Sequence, residues 1–213
     1  MSLQALLVAV DPVWYRRDAR VEDAGDAPDA ALLAHAQASA LGRRMLATWL
    51  LDAAAPHLFA PRADGGVSRL AAQWPRTRLS RLIRDLGVLA FAPAIRAEVR
   101  REPVRTLKRL LGNSYLLALD KAVWDGRVDD DVGARLLAQL HAALAADEPA
   151  DATLLAMFDR QGRAELRAWA TTRDRAFGEW TALQWPHEDA PDAHLPEKQV
   201  LFLHGHHEQR ADD

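Results

Sequence analysis

Between Leu79 and Leu119 the apolar residues recur three or four apart, and prolines cut the pattern into short lengths. Leu79, Leu82, Ile83, Leu86 and Leu89 form the densest stripe, with Arg78, Arg81, Arg84 and Asp85 off it. That spacing buries one face of a helix and does not fit the strict alternation of a strand. Pro93 and Pro103 stand where first turns can begin, because the N–H that proline lacks is an orphan there anyway. The segment therefore reads as consecutive helices with short connections. Ile95 and Val99 continue an apolar face after Pro93. A helix from Pro103 would bury Val104, Leu107, Leu110, Leu111, Tyr115, Leu116 and Leu119.

The same period recurs elsewhere. Asp29 can cap a helix over 30–54 carrying Leu33, Ala36, Ala40, Leu41, Leu46, Trp49 and Leu50, and Pro56 ends it. Asp129, Asp130 and Asp131 suit the positive end of a helix running to Ala146, with Leu136, Leu137, Leu140 and Leu144 inward. Pro149 opens a long helix from Leu154 to Leu183 that buries Leu155, Phe158, Leu166, Trp169, Phe177 and Trp180. Gly162 and Gly178 in it permit a kink or a close approach. Residues 11–30 and 60–66 read as loops, and the chain turns irregular after Trp185-Pro186. With abundant alanine and few β-branched residues, these readings give an all-α chain. They predict a single globular domain of about six or seven helices over 1–186 and a loose tail, partly ordered at most, over 187–213. Within 187–213, Glu197 to His204 has the makings of a short helix or strand.

Composition narrows the chemistry. The 213 residues include no cysteine, so disulfides, thiolate metal sites and a cysteine nucleophile are excluded. The first residues make a poor signal peptide, and no apolar run approaches the roughly 20 residues needed to span a bilayer. His204, His206 and His207 lack chelating i, i+4 spacing and read as part of a solvated tail. His35, His57, His141, His187 and His194 are scattered. Gly65-Gly66 is not followed by the Lys of a phosphate loop, and no serine sits in a nucleophile motif. The reading is a non-enzymatic protein without a cofactor or a metal site. The seven tryptophans are by default core residues.

Charge is uneven. From Arg62 to Arg109 there are twelve bases and four acids, in a chain of net charge −3. Such a stripe can steer an acidic protein. Alternatively, the segment 62–109 can touch phosphates as part of a helical DNA-binding regulator. No recognition-helix signature stands out and few aromatics interleave the bases, so no nucleic acid is expected. The charge excess places partner contacts on Arg81, Arg84, Arg96, Arg100 and Arg101.

The run Leu82-Ile83-Arg84-Asp85-Leu86-Gly87-Val88-Leu89 is followed by Ala94-Ile95-Arg96, Pro103-Val104 and the leucine-rich stretch Leu107 to Leu111. Together these resemble the SctK (YscK-like) family of type III secretion. A fainter echo lies in Gly162, Trp169, Trp180 and Trp185-Pro186. The resemblance covers roughly residues 75–186, with only a Pro-x-x-Tyr-like stretch at Pro12 to Tyr15 before that. It implies a cytoplasmic accessory protein of the injectisome sorting platform, held at the inner membrane through its partners. Such a protein bridges the cytoplasmic domain of the ring protein SctD to the switch-complex protein SctQ, and through SctQ reaches SctL and the export ATPase. The family brings no catalytic residues.

Overall fold

Eleven α-helices and one 3-10 helix run through residues 2–15, 29–59, 74–146 and 150–209, the residues described by the computed structural model, with no strand among them. They are α1 (Leu3–Ala9), the 3-10 turn Pro12–Tyr15, α2 (Ala30–Ala38), α3 (Ala40–Ala53), α4 (Arg76–Ala90), α5 (Ala92–Ala97), α6 (Arg101–Leu111), α7 (Asn113–Leu119), α8 (Asp130–Leu144), α9 (Ala150–Arg173), α10 (Arg175–Leu183) and α11 (Glu197–Gln209). The all-α class holds. The loop expected at 60–66, Pro149, and most of the loop at 11–30 lie outside the described residues.

The helix count exceeds six or seven because caps hide inside apolar periodicity. Ser39 is extended, closes α2, and accepts the Gly42 amide to open α3, so the helix expected over 30–54 is two. Gly112, at φ 52°, separates α6 from α7. Asp174 is extended and accepts the Phe177 amide, which breaks the helix expected through Leu183. Gly162 causes no break, since α9 is continuous through it. Val99 does not continue an apolar face: it lies past the end of α5 and is 85% exposed. Leu116 and Leu119 are exposed as well, because the buried stripe runs through Leu107, Leu111, Tyr115 and Ala118 and each of the two lies one residue past it.

The chain forms two compact units where a single domain was expected. Unit 1 comprises residues 1–79 and 167–189. Unit 2 comprises 80–166 and 190–213. The boundary drawn at 186 also fails to delimit a loose tail. Residues 190–213 belong to unit 2, where α11 buries Val200, Leu203 and His207 at helical spacing.

In unit 1, α1 packs on α2 and α3, and Leu6, Leu7, Leu50, Trp74, Phe177, Trp180 and Leu183 are buried. Indole N–H groups tie its segments together. Trp49 donates to the Trp14 carbonyl (3.1 Å), Trp14 to that of Trp185 (2.8 Å), and Trp180 to that of Trp74 (2.9 Å).

In unit 2, α4 meets α9 through backbone. A Cβ at Gly87 would overlap the Phe158 carbonyl, and one at Gly162 would overlap the Ile83 carbonyl. Only glycine permits that approach. Phe91 and Phe158 meet edge to face nearby, with centroids 5.4 Å apart. The short α5 packs on α7 and α8, and α6 packs on α7.

Candidate functional site

The five arginines expected to share a face have different fates. Arg96 is a structural residue. Its guanidinium donates to the carbonyls of Ala118 (2.7 Å), Trp124 (2.8 Å) and Asp125 (2.8 Å), which fixes the connection from α7 to α8. Burial lowers its affinity for the proton, and the charges of Asp125 and Asp120 oppose that. Arg100 is claimed by Glu98, which takes its backbone N–H at 2.8 Å and its guanidinium at 2.5–3.2 Å. Arg101 is exposed at the start of α6 and makes no ion pair among the described residues. Arg81 and Arg84 line a common cleft.

That cleft lies wholly within unit 2 and encloses about 660 Å³. On α4 the buried stripe through Leu82, Ile83 and Leu86 leaves Ser80, Arg81, Arg84 and Asp85 on one side. These positions are i, i+1, i+4 and i+5, one helical edge. On α11 the same spacing brings Phe202, Leu203, His206 and His207 to the cleft. Leu203 and His207 point inward as its floor, while Phe202 and His206 stay exposed as its rim. Asn113, Ser114 and Leu117 of α7, with Val123, close the cleft.

The floor is knit through Asp85. Its two carboxylate oxygens take the Ser114 hydroxyl at 2.5 Å and approach His207 Nε2 at 2.8 Å. His207 is therefore not part of a solvated tail. It falls four residues after Leu203 and seven after Val200, on the buried face of α11. The helical period of 197–209 was the signal available for it; reading His204 to His207 as a cluster obscured that period.

A serine, an aspartate and a histidine meet here, but not in the order of a nucleophile triad. The hydroxyl proton goes to the carboxylate, whereas an activated serine gives it to the imidazole. Arg84 is paired, with Nε and Nη2 on the two oxygens of Asp159 at 2.5 and 2.7 Å. Arg81 is exposed and makes no ion pair among the described residues. The cleft thus presents one uncommitted cation, an exposed imidazole and an apolar wall.

Compared with family models, with curated proteins and with solved structures, the chain matches none. Among the described residues, no group of three or more His, Asp and Glu is arranged to hold a metal ion. No helix among them is long and apolar enough to cross a membrane.

Two further carboxylates escaped the reading of the sequence. Glu165, on α9 and almost wholly buried, takes the backbone N–H groups of His194 (3.0 Å) and Leu195 (2.9 Å) and the Gln161 amide (2.7 Å). His194 is not an isolated histidine: its Nε2 lies 3.1 Å from the Ala90 carbonyl and its Nδ1 3.3 Å from Glu165. A carbonyl can only accept, so Nε2 carries the proton. In unit 1, Glu179 takes the N–H groups of His57 and Leu58 at 2.9 and 2.7 Å. Acids followed by nothing diagnostic give no sequence signal for such long-range capture.

Proposed function

We propose that this chain is a non-enzymatic adaptor of the type III secretion sorting platform. In this reading it bridges the cytoplasmic domain of SctD to SctQ, and indirectly SctL and the export ATPase, at the cytoplasmic face of the inner membrane. The observation that carries the reading is the cleft of unit 2. Its acid is already bonded on both oxygens, its serine is not activated, and what it offers outward is a cation beside apolar surface. That is a surface for holding a partner. The resemblance supplies the partners' names. Among the residues that carry it, Gly87 and Gly162 sit at a backbone contact and Arg96 fixes a connection.

The pairing of the basic segment weakens the alternative of a DNA-binding regulator. Arg84, Arg100, Arg105 and Arg109 are bonded to Asp159, Glu98, Glu102 and Asp151, and Arg96 to carbonyls. Five of the twelve bases in 62–109 are thus engaged within the chain, which leaves fewer to displace counterions along a phosphate backbone.

Co-expression with the SctD cytoplasmic domain and with SctQ, followed by size-exclusion chromatography, tests the reading. Both should co-elute with the chain without nucleic acid. Elution of the chain apart from both, or a salt-sensitive shift of duplex DNA at physiological ionic strength, would overturn it.

A further inference from the structure

The cleft of unit 2 also points to the chemistry of what it holds, an inference that rests on the adaptor reading. Its edges differ in kind. On the α4 side, Arg84 is neutralised by Asp159, which leaves Arg81 as the outward charge. On the α11 side, Phe202 is 55% exposed. His206 stands next to it, its ring 5.9 Å from that of His207. Leu117, Val123 and Leu203 line the space between. The Asp85 oxygens already take the Ser114 hydroxyl and lie against His207.

We propose that this cleft docks a short acidic segment of a protein partner, with a carboxylate on Arg81 and an apolar side chain against Phe202. A guanidinium pairs well with a carboxylate, and the exposed ring supplies the apolar anchor typical of a binding hot spot. A nucleic-acid backbone fits less well, because it needs a row of cations and gains nothing from an apolar wall. A space of about 660 Å³ accommodates a few side chains of a peptide.

The test is fluorescence anisotropy of the full chain with a labelled dodecapeptide in which Glu and Leu alternate around one central Phe. Saturable binding is expected, with none for the same peptide carrying Lys in place of Glu. Arg81→Glu should weaken binding by about ten-fold and Phe202→Ser by about five-fold, while Arg105→Glu, outside the cleft, changes it by less than about two-fold. All three positions are exposed, and an unchanged circular dichroism melt confirms that each variant folds. Equal binding of the Lys peptide, indifference to Arg81→Glu, or readier displacement by duplex DNA than by unlabelled peptide would overturn the proposal. The two readings fail separately. If the peptide does not bind but SctD or SctQ co-elutes with the chain, the cleft assignment falls and the adaptor reading stands. If the peptide binds as expected and neither protein co-elutes, the adaptor reading falls and the cleft assignment stands.

Discussion

Each unit contains a glutamate that captures a His-Leu pair from a distant stretch of chain. In unit 1, Glu179 of α10 takes the N–H groups of His57 and Leu58, with His57 Nδ1 at 2.6 Å. In unit 2, Glu165 of α9 takes those of His194 and Leu195, with His194 Nδ1 at 3.3 Å. The chemistry is the same and the depth is not. The Glu165 side chain is 1% exposed and that of His194 10%, against 15% and 47% for Glu179 and His57. A buried donor left without its acceptor suffers its full desolvation cost, while an exposed one finds water. Equal backbone bonds therefore carry unequal weight.

Glu165→Ala should break the comparison most sharply. It removes the acceptor of two backbone amides and one of the two acceptors of the Gln161 amide at a buried carboxylate, at a cost of about 3 kcal/mol. Urea unfolding measures the loss, and hydrogen exchange should show the amides of His194 and Leu195 deprotected. Glu179→Ala removes as many backbone bonds, but the His57 amide is exposed and finds water while only that of the buried Leu58 is left short, so the cost should be about 1–2 kcal/mol. If the two variants lose equal stability, depth is not what separates the clamps.

These clamps mark the limit of what the sequence revealed. Apolar spacing announced the helical class and most of the buried stripe of α4, because periodicity is local. It also set Arg81 and Arg84 beside that stripe. The breaks at Ser39, Gly112 and Asp174 were missed because a cap can lie within an apolar period without disturbing it. The partners of Arg96, Arg100 and Glu165 were missed for a different reason. A surplus of bases along the chain says nothing about which carbonyl or carboxylate the fold brings up to each one. The cleft was half legible: its α4 edge came from the stripe, while its α11 edge fell in a segment read as loose.

A third carboxylate separates depth from partner. The Glu98 side chain is as buried as that of Glu165, at 2% exposed, yet its chief partner Arg100 is 58% exposed. Hydrogen bonding from the Arg100 guanidinium holds its carboxyl at about 2, against an ordinary 4.5. Burial works the other way, and the Arg100 N–H, its charge and His141 assist. Because the folded value is depressed, the ionised form is the one the fold stabilises. The contribution is therefore complete above about 4.5 and is lost as pH falls from there through about 2. Solvent around Arg100 limits it to about 1 kcal/mol, the smallest of the three effects. Glu98→Gln should thus be less stable than the parent chain at neutral pH, and the gap should close as urea titrations are repeated down to pH 2–3. A gap that persists undiminished in acid would show that burial, not the ion pair, governs this site, and Glu98 would then belong with Glu165.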